Sequence, residues 1–198
     1  MKMLLHICCG PCCIFPVREL RAEGAGLTGF FYRHNIHPYS ECLRRQATLQ
    51  TYAEQIGLDV IYQDDYDLEG FIRKVVFHED QRCLICYRER LNATAAVAKQ
   101  GGFDGYSTTL LYSRYQKHDI IREMGESIGR TVGIAFHYRD FRTGWQQGVA
   151  ESRRLGMYRQ KYCGCIYSEK ERLCSETSST SSSFCSSTQP TNPPRRSV

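Results

Sequence analysis

The sequence lacks any long hydrophobic run. Of its 198 residues 41% are hydrophobic and 24% are charged, and no apolar stretch approaches the roughly 20 residues that a helix needs to span a bilayer. We therefore expect no membrane-spanning segment. A large excess of one charge is also missing, because a formal net charge of +5 permits a polyanionic partner without requiring one.

The sequence also lacks the marks of a secreted disulfide scaffold. Its eleven cysteines are odd in number, and the chain is longer than most such scaffolds. The apolar N-terminal stretch is interrupted by His6 and carries no small-residue cleavage site. We expect this stretch to be a buried strand of a cytoplasmic protein, in which clustered thiols serve metal binding or redox chemistry.

Short β-branched or aromatic runs alternate with helical patterns along the chain. They predict strands at 3–8, 27–32, 59–63, 105–111 and 134–138, and helices at 17–23, 40–56, 87–99 and 118–128. This alternation is typical of βαβ units, so we predict an α/β fold: a single Rossmann-like domain with an open, mostly parallel sheet of about five strands and helices on both faces. The domain is predicted over 1–173, and a disordered Ser/Thr/Pro-rich tail over 174–198.

Polar residues follow or end several predicted strands, where such sheets bind their ligands. Cys8 and Cys9 end the first strand, and His37 follows the second. The candidate substrate-binding residues at these positions are Asn35, Ser107, Asp140 and Arg142.

Two cysteine motifs have the spacing of metal ligands. In Cys83-x-x-Cys86, at a predicted helix start, two thiolates can face one ion, and the helix N-terminus is expected to lower their pKa. Adjacent Cys8 and Cys9 are unusual for structural zinc, so we favour one 4Fe–4S cluster held by all four residues. Cys12 is a candidate ligand of a second metal beside this cluster.

A third motif, Cys163-Gly164-Cys165, is too closely spaced for a zinc knuckle. The glycine can adopt the backbone conformation that a small disulfide ring requires. A strained disulfide is readily reduced, which suits electron delivery. We therefore predict that Cys163 and Cys165 form a redox-active pair.

With these motifs in place, the sequence resembles the QueH family of epoxyqueuosine reductases over about residues 1–173. The matching segments are His-Ile-Cys-Cys-Gly-Pro-Cys over 6–12, Phe-Tyr-Arg-His-Asn-Ile-His-Pro over 31–38, Cys-Leu-Ile-Cys-Tyr over 83–87 with Arg90, Ser-Thr-Thr-Leu-Leu over 107–111, Asp-Phe-Arg over 140–142, and Gln-Lys-Tyr-Cys-Gly-Cys over 160–165. The resemblance implies reduction of the epoxide of epoxyqueuosine in the tRNA anticodon loop. It also implies a nucleotide α-hydrolase-like fold, a 4Fe–4S cluster, a nearby mononuclear iron and no cobalamin.

Removing an epoxide oxygen takes two electrons, whereas a 4Fe–4S cluster passes one at a time. We therefore expect the thiol pair to recharge the site from an external electron donor that the sequence does not identify. The second iron would polarise the epoxide oxygen, and His37, or else Tyr162 or Lys161, would supply a proton. Asp140 and Arg142 are candidates for binding ribose and phosphate. Basic residues such as Arg45 are candidates for contacts with tRNA phosphates, but none of them is assigned to the site, because runs of charge are usually solvated faces.

Three other functions use some of the same residues. A zinc-stapled RNA-binding module would use the four cysteines as a structural site and would be colourless. An ATP-dependent enzyme similar to tRNA-thiolation enzymes would share the fold, but cysteines occupy the position of its Ser-Gly-Gly-x-Asp-Ser loop. A general thiol–disulfide oxidoreductase would leave the N-terminal and central cysteines without a role.

Overall fold

The computed structural model describes residues 1–177, and the side chains of residues 1–174. The elements in chain order are β1 (Lys2–Ile7), α1 (Gly10–Ala22), β2 (Gly26–Phe31), α2 (Tyr39–Ile56), β3 (Val60–Tyr62), α3 (Leu68–Val75), a 3₁₀ turn (Glu79–Gln81), α4 (Arg82–Gln100), β4 (Gly105–Thr108), a 3₁₀ turn (Thr109–Tyr112), α5 (His118–Val132), β5 (Ala135–Phe136), a 3₁₀ turn (Phe141–Gly144), α6 (Trp145–Arg154) and α7 (Ile166–Thr177). Within the described part of the chain, no helix is both long enough and apolar enough to cross a membrane.

The five strands form one parallel sheet in the order β3-β2-β1-β4-β5. Strand β1 lies at its centre, and His6 stands opposite Phe30 of β2 and Thr108 of β4. Every β1 residue from Met3 to Ile7 is buried, as expected for a central strand covered on both faces. Helix α1 packs against α2 and α6, and α4 packs against α5. The predicted fold class is confirmed.

The direction of strand addition reverses between β1 and β4. From β1 the chain adds β2 and β3 on one side, then crosses to add β4 and β5 on the other. Beyond the carboxyl ends of two such strands an open α/β sheet leaves a crevice for ligands. Cys8 follows β1 and Thr109 follows β4, and the Cys8 amide donates to the Thr109 hydroxyl over 3.3 Å. The first cysteine motif therefore lies at this crevice.

Several predicted element boundaries are wrong. Helix α4 begins at Arg82 rather than at 87, and α5 ends at Val132 rather than at 128. Two further shifts concern α1 and β4. Helix α1 begins at Gly10 rather than at 17, because Pro11 lies in the first turn, where its missing N–H leaves no bond unmade. Strand β4 ends at Thr108 rather than at 111, because the Thr108 hydroxyl accepts from the amide of Leu110 and starts a 3₁₀ turn. Cys12 consequently lies inside α1.

Three helices were not predicted. Helix α3 is capped by Asp67, whose carboxylate accepts from the amide of Gly70 over 2.8 Å. Helix α6 packs against α1. Helix α7 runs to Thr177, inside the stretch predicted as a tail, and residues 178–198 of that stretch lie outside the described residues.

Candidate functional site

Cys8, Cys9 and Cys12 form one group of thiols at the end of β1. Their Sγ atoms all lie within 4.8 Å of one another, and those of Cys8 and Cys9 are 4.0 Å apart. Extended backbone at Cys9 joins β1 to α1, so the strand end and the first turns of the helix supply the three thiols. They are 8%, 1% and 9% exposed, respectively. A single tetrahedral ion with bonds to sulfur of about 2.3 Å spaces its thiolates about 3.8 Å apart, close to this arrangement.

Hydrogen bonds within this group favour a thiolate at Cys8. The thiols of Cys12 and Cys9 donate to it and hold the pKa of Cys8 well below its usual range. The same bond to Cys8 raises the pKa of Cys12, and burial raises the pKa of Cys9. The group therefore carries negative charge most easily at the residue closest to the sheet.

Cys83 and Cys86 lie in the first turns of α4, outside the three-thiol group. The expectation that the helix start lowers their pKa is wrong, because burial raises the pKa of Cys83 and takes that of Cys86 to about 12. The charges of Cys163 and Cys165 also raise the pKa of Cys86, and that of Cys8 raises the pKa of Cys163. The three cysteine motifs are thus close enough to influence one another electrostatically.

Every cysteine motif receives hydrogen bonds at sulfur from side chains outside the motif. The donors are Thr109 to Cys8 (3.5 Å), Gln160 to Cys9 (3.0 Å) and Cys12 (3.5 Å), Asn35 (3.2 Å) and Arg90 (3.3 Å) to Cys86, and Gln116 to Cys163 (3.1 Å). Such bonds stabilise thiolates more than thiols.

Arg90 connects α4 with the central strand beneath the cysteines. Its Nη1 lies 3.2 Å from Nε2 of His6, and Nδ1 of His6 lies 2.8 Å from the hydroxyl of Thr108. Burial, assisted by the charge of Arg90, lowers the pKa of His6 to about 3. His6 is therefore neutral near pH 7 and accepts a hydrogen bond from the guanidinium at Nε2.

The Cys163–Cys165 segment is held from α2. Arg45 donates to the carbonyl oxygens of Cys163 and Tyr162 over 2.8 and 3.1 Å. The amide of His37 donates to the carbonyl oxygen of Gly164 over 2.7 Å. Arg45 is 1% exposed and pairs with the buried carboxylate of Glu41. Arg45 is therefore no candidate for contacts with tRNA phosphates, since its side chain lies inside the protein.

A second chain of hydrogen bonds fixes the donor to Cys163. The amide of Lys117 donates to the hydroxyl of Tyr87, which then donates to Oε1 of Gln116 over 2.7 Å. This leaves Nε2 of Gln116 facing Sγ of Cys163. Burial raises the pKa of Cys163, and the bond from Gln116 opposes that shift.

Comparison with known proteins then identifies the family. Residues 3–171 match the family model described as epoxyqueuosine reductase QueH. The chain belongs to the QueH family. This confirms the resemblance drawn from the motifs, together with the prediction that the chain is of an oxidoreductase family.

Relatives named epoxyqueuosine reductase QueH match the chain over most of its length. The one from Dehalococcoides mccartyi is 33% identical, covering 87% of this chain and 94% of its own. The one from Thermotoga maritima is 36% identical, and the match covers 86% of this chain and 91% of the relative. A solved structure described as a predicted subunit of tRNA methyltransferase from Methanocaldococcus jannaschii is similar at a TM-score of 0.48 and 13% identity, covering 89% of this chain and 88% of its own.

The side chains fit the iron–sulfur group implied by the resemblance to QueH proteins. Three thiols form a group that could hold a metal ion, and side-chain donors point at the sulfurs of all three motifs. Hydrogen bonds to ligating sulfurs are typical of iron–sulfur sites and tune their potentials. Cys12 joins Cys8 and Cys9. It stays a prediction that a cluster takes Cys8, Cys9, Cys83 and Cys86 as its ligands and that Cys12 binds a separate ion.

His37, the predicted proton donor of this QueH chain, is fully buried behind the Cys163–Cys165 segment. Its Nε2 donates to the carbonyl oxygen of His34 over 2.8 Å, and its Nδ1 accepts from the amide of Ile166 over 3.4 Å. Burial lowers its pKa. The predicted catalytic role stays a prediction, and the contacts shown are those of a residue that braces two loops.

The predicted substrate-binding residues lie in two places. Asn35 lies beside Cys86, and Ser107 lies in β4, where alternation directs it to the sheet face opposite Thr108. Among the described side chains, Oδ1 of Asn35 and Oγ of Ser107 are buried without a hydrogen-bond partner. Asp140 and Arg142 pair with each other near β5, through contacts of 2.9 and 2.6 Å.

Sequence reasoning missed the side chains that support the cysteines of this QueH site. Arg90 follows Cys86 by four residues, a spacing that puts both on one helix face and could have revealed the contact. Gln116 and Gln160 reach their thiols across 47 and 151 residues of sequence, so no local spacing reveals these contacts, although Gln160 begins the motif over 160–165.

Proposed function

We propose that this protein reduces the epoxide of epoxyqueuosine to the alkene of queuosine in the tRNA anticodon loop. The observation that carries the proposal is the QueH match over residues 3–171, within which all three cysteine motifs lie. The enzyme would work in the cytoplasm, where tRNA is present, and would need no cobalamin.

The proposed ligands of a 4Fe–4S cluster are Cys8, Cys9, Cys83 and Cys86, and Cys12 is the proposed ligand of a nearby iron. When bound, these groups supply single electrons and a Lewis acid for the epoxide oxygen. The burial of Cys8, Cys9 and Cys12 supports this assignment, because it keeps water away from the reacting atoms.

Cys163 and Cys165 are the proposed source of both electrons. Joining the two thiols in a disulfide releases two electrons and two protons, which match the two electrons and two protons that turn an epoxide into an alkene and water. A dithiol reductant would then restore both thiols. Gln116 would favour the thiolate of Cys163, since its amide donates to that sulfur.

Substrate contacts are proposed for two kinds of residue: those with a buried polar atom that has no hydrogen-bond partner among the described residues, and those of the ion pair near β5. Oδ1 of Asn35 is a buried acceptor without a partner among the described residues, so a donor of the nucleoside could satisfy it. Ser107 is proposed for the same reason. Asp140 and Arg142 are proposed to exchange their mutual ion pair for ribose and phosphate contacts. His37 is proposed as the proton donor.

The experiment that tests the cofactor is an absorption spectrum of anaerobically purified protein with iron and sulfide counts. We expect a broad band near 400 nm, lost in Cys9→Ala and Cys86→Ala. Cys13→Ala is the matched control, because Cys13 is buried beside the site and donates to the carbonyl oxygen of Gly10. A featureless spectrum with one zinc per chain would refute the proposed cluster and favour the zinc-stapled RNA-binding module.

The activity is tested on tRNA that carries epoxyqueuosine, with nucleoside mass spectrometry of the digested product. We expect the mass of the modified nucleoside to fall by the mass of one oxygen atom when the protein and a reductant are both present. Unchanged nucleoside in the presence of iron-replete protein would refute the reductase.

A further inference from the structure

Arg90 is a buried cation with no carboxylate beside it. Its side chain is 2% exposed, and among the described residues it forms no ion pair with an Asp or Glu side chain. Arg45, which is equally buried, pairs with Glu41 over 2.7 Å. A buried guanidinium without a negative partner is costly. The charge that balances Arg90 must therefore come from another kind of group.

The three acceptors around the guanidinium identify that group. Nε faces Sγ of Cys86 at 3.3 Å, Nη1 faces Nε2 of His6 at 3.2 Å, and Nη2 faces the carbonyl oxygen of Asn35 at 3.3 Å. The imidazole and the carbonyl are neutral acceptors. Sulfur is the only one of the three that can carry negative charge, so the guanidinium is arranged for a thiolate.

The geometry fixes the guanidinium from three sides. Cys86 lies one helical turn before Arg90 on α4, His6 lies on the central strand, and Asn35 lies in the loop after β2. His6 is itself held by Thr108 of the neighbouring strand, over 2.8 Å. The guanidinium therefore stays at the sulfur without the entropy loss that a flexible surface cation would suffer on pairing.

We propose that Arg90 is a positioning residue that sets the reduction potential of the iron–sulfur group held by Cys8, Cys9, Cys83 and Cys86. The inference rests on the proposed function. A fixed positive charge and an N–H donor at a ligating sulfur both stabilise the more negative, reduced state, so they raise the potential. Arg90 thereby makes the group easier to charge with an electron.

The test is a redox titration of the anaerobic protein, followed by electron paramagnetic resonance of the reduced cluster. We expect Arg90→Gln to shift the midpoint potential to a more negative value. Arg90→Lys keeps a charge but cannot face all three acceptors, so we expect a smaller shift in the same direction. Arg88→Gln, an exposed residue on the same helix, is the matched control and is expected to show the wild-type potential.

The outcomes separate this inference from the proposed function. If the wild type holds a cluster and both Arg90 variants titrate at its potential, the role of Arg90 is overturned alone. If the wild type holds no cluster, the proposed function is overturned and this inference with it. If Arg90→Gln does not fold, the test rests on Arg90→Lys. A wild-type midpoint potential in Arg90→Lys would then overturn the proposed role of Arg90.

Discussion

The guanidinium of Arg45 donates to the carbonyl oxygen of Cys163 over 2.8 Å, across 118 residues of sequence. The same side chain is paired with Glu41, so a buried ion pair on α2 holds the backbone of the proposed redox pair. The position of Cys163 therefore depends on a residue that has no redox chemistry of its own.

Arg45→Gln should destabilise the protein by about 3–5 kcal/mol, because it leaves the carboxylate of Glu41 buried without its cation. Urea unfolding measures the loss. Arg44→Gln removes an exposed neighbour of the same type and should change stability by no more than about 0.5 kcal/mol. Equal midpoints for the two variants would contradict the buried pair.

Gly164→Ala should cost about 1–3 kcal/mol of stability, because the backbone at Gly164 has a φ of +153° that side chains rarely adopt. The added Cβ would also lie 3.2 Å from Nη1 of Arg45. Gly24→Ala is the control, since Gly24 also has a positive φ but nothing lies within 4 Å of the added atom. In urea unfolding we expect Gly164→Ala to lose more stability than Gly24→Ala. A larger loss in Gly24→Ala would contradict the packing of Arg45 against Gly164.

Gln116→Ala should slow the alkylation of Cys163 by iodoacetamide about tenfold near pH 7. The lost hydrogen bond to a charged sulfur is worth about 1.5 kcal/mol, which corresponds to about a tenfold smaller thiolate population. Peptide mass spectrometry follows the modified residue. Gln55→Ala, an exposed glutamine on α2, should leave the rate unchanged. An unaltered rate in Gln116→Ala would show that the amide does not act on the thiolate.

Cys163→Ser and Cys165→Ser should each abolish turnover supported by dithiothreitol while leaving the iron content at the wild-type value. Dithionite, which delivers electrons directly, should restore at least one turnover. Cys42→Ala removes a fully buried thiol and serves as the control. Turnover that survives in both serine variants would mean that the electrons do not come from this pair.

Stability should fall as the pH drops below about 6.5, partly because of His118. Burial lowers the pKa of His118 in the folded protein, so the unfolded chain binds the proton first. The stabilisation is complete above the unfolded pKa and is lost as the pH falls towards the folded one. Melting temperatures at a series of pH values should fall less steeply for His118→Gln. An identical slope would contradict the shift.

Most strands and the cysteine motifs could be predicted because they depend on local patterns. Alternation of β-branched runs with helical periods identified all five strands, and Cys83 and Cys86 share one helix start, as their spacing indicates. Helix α6 escaped prediction because its polar sequence is stabilised by packing on α1 and on the 3₁₀ turn after β4, where Gly148 allows close approach of Tyr112.

Apart from the contact between Arg90 and Cys86, the contacts of the supporting side chains could not be predicted because they join distant segments. Arg90 meets His6 across 84 residues, and Arg45 meets Cys163 across 118. Such pairs depend on the parallel sheet bringing its strand ends to one edge, and charged residues at these positions look like surface residues in the sequence. In the sequence Arg45 resembles the exposed basic residues that could contact tRNA phosphates, and only the structure shows that it is buried.

Gln160 donates to the thiols of Cys9 and Cys12 from 151 and 148 residues further along the chain. A ribosome therefore synthesises the three-thiol group early and the segment that covers it near the end. During most of translation Cys9 and Cys12 therefore lack the hydrogen bonds that this segment supplies. Gln160 reaches these sulfurs only after all five strands and α1 to α6 have been synthesised.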